Sequence, residues 1–370
     1  MYIYLRAALS GSFYLGTAMI RICITNNNIG NKEWRETKHG WSLNEDYVNG
    51  IDSKFLNRTM ICDNDGMVFI VCEKAVPLPL MNLRDLPGYI SDFANVLEGD
   101  GVLIHLANSG RLTAIRTAHA TVPIYVSGET NQFCADWDFN SIASQRQLVT
   151  LSRTELRRFI HYGPELSKAS IAQDIKQLLP GQKAIWSPGG AQIEISDGNH
   201  FNYFEQSTLS AGANLSSAFI DLIKSSSTVA LNQALFPTIE LSGGMDSSCA
   251  AIALKDEHNS LHSYALIHRG SAGDQQRARR NELIRRLNLI DCQVDSTICK
   301  PFTSLDRLPP DADFIINPYD ELYWDGIVEC INSMPNDKPD LIITGIGGDK
   351  LTITSDYNDQ TTPFGPQITQ

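Results

Sequence analysis

Residues 240–249 read Glu-Leu-Ser-Gly-Gly-Met-Asp-Ser-Ser-Cys. Ahead of them Thr238–Leu241 has the apolar, β-branched character of a short strand, and behind them Ser247–Leu254 has that of a helix. Strand, glycine turn and helix in succession leave the first N–H groups of the helix without intrahelical acceptors, pointing at any anion held in the turn. Gly243 and Gly244 let the backbone approach that anion with no Cβ in the way, and Ser242, Ser247 and Ser248 add hydroxyl donors. The helix dipole contributes ~0.3–2 kcal/mol to an anion there. Asp246 would repel a phosphate by itself, but it fits a site where Mg²⁺ lies between carboxylate and phosphate oxygens. No Gly-Lys-[Ser/Thr] follows, so this is not a Walker A loop. A capped helix after a glycine turn, with no ligand, would use the same string.

The surroundings repeat the pattern. Leu215–Leu231 reads as an amphipathic helix, Ser263–Ile267 as a strand, Asp274–Leu287 as a helix, Cys292–Val294 as a third strand and Glu321–Ile331 as a helix. Leu341–Thr344 is a further apolar strand, and it runs into Thr344-Gly-Ile-Gly-Gly-Asp349. Alternating strands and helices imply βαβ units and a parallel sheet covered on both faces. Ligands of such sheets sit at the carboxyl ends of strands near the topological switch. Both glycine–aspartate turns are expected on that edge, with Asp246 and Asp349 sharing one metal-bound pyrophosphate.

The first half has a different rhythm. Short runs such as Met67–Cys72, Val102–Leu106, Leu112–Arg116 and Ile124–Ser127 are separated by the turn signals Asn64–Gly66, Asn108–Gly110 and Ser127-Gly128. This predicts an antiparallel α+β domain. Ser152 and Glu155 make a capping box ahead of a helix to Tyr162, and the Gly-, Ser-, Asn- and Pro-rich residues 187–214 read as the end of that domain and a linker. Residues 7–20 are uncharged but too few to span a bilayer, and they read as a buried strand pair.

Composition narrows the function. The net charge of −12 makes the chain a poor candidate for nucleic-acid binding, which needs a basic footprint. The eight cysteines form no C-x-x-C pair and read as thiols of a soluble cytoplasmic protein. The run Arg277–Arg286 carries five arginines; it reads as a solvated helix face, or alternatively as a contact to an acidic peptide or to ATP phosphates.

Ser-Gly-Gly-Met-Asp-Ser-Ser at 242–248 resembles the PP-loop of the ATP-pyrophosphatase superfamily. Together with Thr-Gly-Ile-Gly-Gly-Asp at 344–349 it resembles the asparagine synthetase family, which includes β-lactam synthetase and the lasso-peptide cyclases. Gly110–Tyr125 and Leu151–Gly181 resemble stretches of that family's N-terminal domain. The resemblance implies an α/β chain: an Ntn-hydrolase-like antiparallel α+β domain over 1–205, then a doubly wound, HUP-like PP-loop domain over 206–370. It implies ATP and Mg²⁺ as cofactors, with Asp246 and Asp349 as catalytic metal ligands and Ser242, Gly243, Gly244, Ser247 and Ser248 holding pyrophosphate. Leu241 and Leu266 match the family's adenine-contacting strand ends, and Thr344, Gly345 and Gly347 fall in its contact with the AMP part.

The implied chemistry is adenylation of a carboxylate followed by amide formation. Glutamine-dependent members carry a cysteine after the initiator Met, and here Tyr2 stands there, so the N-terminal domain is expected to lack glutaminase activity. That pattern matches members whose amine is already on the substrate. A precursor peptide or small molecule is the expected substrate, with a maturation protease as a candidate partner and no membrane or nucleic-acid partner. Family members continue into a long helical region, whereas this chain ends at Gln370, so the second domain is expected to be incomplete at its C-terminus. Glu321, Tyr323 and Lys350 are candidate bases, but each reads as structural or solvated. Asparagine formation from aspartate, ATP and ammonia is the alternative activity, and a non-catalytic ATP-binding remnant the alternative role.

Overall fold

The computed structural model describes residues 8–9, 12–13, 20–28, 33–50, 55–62, 64–73, 88, 93, 99–118, 120, 122–146, 149–162, 167–190, 193–197, 210, 212–258, 260–298, 324–335 and 338–345. The chain is of α/β type, with antiparallel sheets and a parallel sheet. It divides into two compact units, the main divide falling after Ser210.

In the first unit, among the described residues, the turn signals become hairpins. Gly66 and Gly110 adopt φ of +154° and +87°, and the strands on either side pair antiparallel. A six-stranded sheet runs in the order Glu194–Asp197, Gln182–Trp186, Leu112–Arg116, Gly101–Ala107, Gly66–Glu73, Leu56–Cys62. A seven-stranded sheet runs Lys176–Leu178, Ile124–Gly128, Gln132–Asp136, Ile20–Thr25, Asp46–Gly50, Gly40–Leu43, Arg35–Glu36. Alternate residues of both sheets, such as Ile20, Ile22 and Ile24 from one and Met67, Phe69 and Ile104 from the other, enter one apolar cluster. The two sheets therefore face each other across a shared core. Val68 and Ile70, on the opposite face of their strand, are equally buried.

One local expectation needs correction. Ser152 Oγ accepts the N–H of Glu155 at 3.3 Å, but the Glu155 carboxylate pairs with Arg158 at 2.6 Å. The N–H of Ser152 goes to the Ile171 carbonyl instead, so only half of the capping box forms. Within the stretch read as the end of this domain and a linker, Glu194–Asp197 adds an edge strand paired with Gln182–Trp186. A four-residue strand flanked by glycine, serine and proline has too short a pattern to read from sequence.

Asp136 closes its strand and is buried. It accepts the N–H of Asp138 at 2.9 Å and the Ser141 hydroxyl at 2.6 Å, with Arg21 at 3.6 Å. Burial outweighs these partners and pushes its carboxyl from 3.8 up to about 6. The unfolded chain ionises first as pH rises, so the stability held below pH 3.8 is lost as pH climbs to about 6. The expected loss is roughly 3 kcal/mol. Urea unfolding of wild type and Asp136→Asn across this window should show wild type losing stability relative to the variant; the opposite slope would contradict the burial argument.

In the second unit, β1 (Pro237–Glu240), β2 (His262–Ile267), β3 (Ile290–Asp295) and β4 (Leu341–Ile343) are all parallel, in the order β3-β2-β1-β4. Helices α1 (Leu215–Gln233), α2 (Met245–Leu254), α3 (Gly270–Leu287) and α4 (Trp324–Asn332) accompany them. On one face Asp291, which accepts the Ser263 hydroxyl, meets Arg280 of α3. On the other face Leu266 packs against Gly326, and the Cys292 thiol donates to the Cys330 carbonyl, both from α4. Helices thus cover both faces. Strand order reverses between β1 and β4, which is where a doubly wound sheet opens its crevice. Asp340 ties the opposite end together by accepting the N–H groups of Leu235 and Phe236 at 2.7 and 2.9 Å.

Candidate functional site

β1 delivers the chain into the loop at Leu241, whose side chain is fully buried and whose N–H donates to the Tyr264 carbonyl at 2.9 Å. Ser242 is exposed, and its Oγ lies 3.0 Å from Ser247 Oγ and 3.3 Å from the Gly244 nitrogen. Gly243 has φ of +80°, in the left-handed region that disfavours a side chain. A Cβ there would also meet the Gln276 carbonyl at 3.2 Å and Arg280 Cγ at 3.3 Å. The loop rests directly on α3, and glycine is what permits it.

Gly244 is the N-cap of α2 and supplies no side-chain cap. The N–H groups of the first turn therefore remain available to a ligand. Asp246 is half-buried in that turn, and Ser247 is buried beneath it. The Ser248 hydroxyl donates to the Gly244 carbonyl at 2.6 Å, bracing the turn from inside.

The second glycine turn arrives beside the first. β4 ends at Ile343, followed by buried Thr344 and half-buried Gly345. A Cβ on Gly345 would lie 2.6 Å from the Ser247 nitrogen and 3.1 Å from the Asp246 carbonyl carbon. Backbone thus packs on backbone, and the two segments, about a hundred residues apart in the chain, meet at the carboxyl edge of neighbouring strands. Gly347 and Asp349 lie outside the described residues, as do Glu321, Tyr323 and Lys350. Leu266 is half-buried near the end of β2.

Two supports were not visible in the sequence. Arg280 is fully buried, and its guanidinium donates to the Leu241 carbonyl, to the Tyr264 carbonyl at 3.4 Å and to Asp291 Oδ1 at 2.6 Å. Burial pushes its pKa down, and Asp291 opposes the shift. Gln276 donates to the Leu266 carbonyl and accepts the His268 N–H, both at 3.0 Å. Past their last ladder bonds the strand carbonyls diverge and need other donors. Arg280 and Gln276 provide them, which fixes the carboxyl ends of β1 and β2 under the loop.

The expected solvated arginine face is corrected at this one position. Arg277 pairs with Asp274 and Asp295, and Arg285 and Arg286 pair with Glu282 near the surface, but Arg280 is inside. Gly273, Gln276 and Arg280 recur at helical spacing and form the buried line of α3. That spacing was the available signal, hidden because hydrophobic periodicity skips polar residues.

The arrangement can hold a phosphorylated ligand by backbone N–H groups and hydroxyls. Among the described residues no group of three or more His, Cys, Asp or Glu side chains stands ready to hold a metal alone. Asp246, beside the first-turn N–H groups, is a carboxylate that could share a hard cation such as Mg²⁺ with phosphate oxygens of a ligand. No helix among the described residues is long and apolar enough to cross a membrane. No protein-family model matches the chain, and a search of curated proteins finds no match.

Proposed function

We propose that this chain is an ATP-dependent ligase that adenylates a substrate carboxylate and transfers the acyl group to an amine. The observation carrying this reading is the contact of Gly345 with the first turn of α2, at the point where strand order reverses between β1 and β4. A loop of this shape favours pyrophosphate as leaving group. The first-turn N–H groups and the hydroxyls of Ser242 and Ser247 would bind it, joined by Ser248 on exchange of its bond to the Gly244 carbonyl, and Thr344 and Gly345 would lie against the AMP part. Asp246, with Asp349, would hold Mg²⁺, which when bound neutralises charge on the phosphate oxygens.

A carboxylate oxygen attacks the α-phosphorus and pyrophosphate leaves; an amine nitrogen then attacks the acyl carbon and AMP leaves. The parallel-sheet unit is read as a PP-loop domain and the two-sheet unit as an Ntn-hydrolase-like domain, in a cytoplasmic enzyme of the lasso-peptide-cyclase type. Cys23, mid-strand between Ile22 and Ile24, has no free α-amine to act as base.

The test is pyrophosphate release from ATP and Mg²⁺ with peptides bearing an acidic side chain and a free amine, alongside aspartate plus ammonium. Release with a peptide is the expected result. Asparagine formation instead would move the substrate to aspartate. Nucleotide binding without any release would make the chain a binding protein, and absence of both would overturn the assignment.

A further inference from the structure

The first unit carries a thiol pair with no part in the chemistry above. Cys23 and Cys134 stand directly opposite each other on neighbouring antiparallel strands, Ile20–Thr25 and Gln132–Asp136. Both are free, and both face away from the core shared by the two sheets, since Ile22, Ile24, Phe133 and Ala135 fill it. The Cys134 thiol donates to Cys23 Sγ at 3.8 Å, and Gln132 Nε2 donates to the same sulfur at 2.8 Å. Each residue retains a small exposed fraction, 8% and 7%, and Arg21 and Gln132 at the rim are more open.

We propose that Cys23 and Cys134 form a redox site, closing into a cross-strand disulfide when a low-molecular-weight disulfide is the oxidant. The Cys23 thiolate attacks one sulfur of the disulfide RSSR, forming a mixed disulfide and expelling RS⁻. Cys134 then loses its proton and attacks the Cys23 sulfur, forming the protein disulfide and expelling the second RS⁻. The two protein thiol protons end on the two RSH molecules, and the two electrons lost by the cysteines reduce RSSR.

The environment assigns the roles. The hydrogen bond from Cys134, followed by that from Gln132, holds the Cys23 thiol below its ordinary value against burial and the nearby Asp46 and Glu45. Cys134 is pushed up, first by the same bond and then by burial, so it keeps its proton. The thiolate is the attacking species, which makes Cys23 the attacker and Cys134 the resolver. Opposite residues in a sheet hold their Cβ atoms about 4.5–5.5 Å apart. A disulfide wants roughly 3.5–4.5 Å. Closure therefore draws the strands together, and a strained bond of this kind is readily reduced again. That suits a reversible site better than a permanent brace.

The test incubates the full chain with oxidised glutathione over a series of oxidising ratios, followed by non-reducing peptide mapping. The expected product links Cys23 to Cys134 with loss of two hydrogens, and it reopens when reduced glutathione is restored. Exposed Cys62 is the internal control for the reagent, taking glutathione as a mixed disulfide. Cys134→Ser should trap glutathione on Cys23, whereas Cys23→Ser should leave Cys134 unmodified. Both thiols remaining free in wild type while Cys62 is modified, or linkage of either to another cysteine, would overturn the proposal.

Discussion

Asp246→Asn is expected to lower pyrophosphate release by at least ~100-fold while leaving the melting temperature nearly unchanged. The stability half follows from position. Asp246 is half-buried in the first turn of α2, where a negative charge gains only ~0.3–1 kcal/mol from the helix dipole. Asparagine keeps the size and shape of the side chain. The activity half follows from charge. A metal ion that neutralises developing charge is worth several kcal/mol, and each 1.36 kcal/mol is a factor of about ten in rate. Asparagine offers one neutral oxygen to Mg²⁺ where the carboxylate offered a charge. Steady-state rates at rising Mg²⁺ should show a higher half-saturating concentration in the variant. Unchanged turnover with unchanged Mg²⁺ dependence would remove Asp246 from the metal site and leave it as a helix-terminal charge.

What the chain disclosed before folding divides along a physical line. The loop at 240–249 was readable because glycine, serine and aspartate occur there for local reasons: a left-handed turn at Gly243, an uncapped helix start, hydroxyls within reach. The hairpins at Asn64–Gly66 and Asn108–Gly110 were readable for the same reason, turn chemistry being carried by two or three adjacent residues. The contact of Gly345 with Ser247 rests on strand order, and the sequence supports it only by implying a parallel sheet whose switch point lies between the first and last strands. Glu194–Asp197 escaped notice because an edge strand takes its identity from its neighbour. The Cys23–Cys134 pair depends on a register between strands more than a hundred residues apart, which no local pattern encodes. Arg280 was misassigned because an arginine among arginines looks solvated, and only the position of Asp291 on β3 shows that one of them is inside.

Removing that buried cation should be the most destabilising single change in the second unit. Arg280→Met keeps a comparable apolar stem but takes the donors from the Leu241 and Tyr264 carbonyls and leaves the Asp291 carboxylate, 10% exposed, without its cation. Breaking a buried ion pair from one side costs about 3–5 kcal/mol, mostly from the charge left behind. Ser263 and Gln293 still donate to Asp291, which favours the lower end of that range. Arg286→Met, which breaks only a surface pair with Glu282, should stay within ~1 kcal/mol of wild type. The double variant Arg280→Met/Asp291→Asn should recover much of the loss, because a neutralised partner no longer needs compensation. Urea unfolding of the four proteins separates these terms, and a single variant no worse than Arg286→Met would show that the pair contributes nothing. The double variant also isolates the site from the fold. Even with stability restored, the Leu241 carbonyl lacks the donor that holds it beneath the loop, so nucleotide affinity should remain below that of wild type.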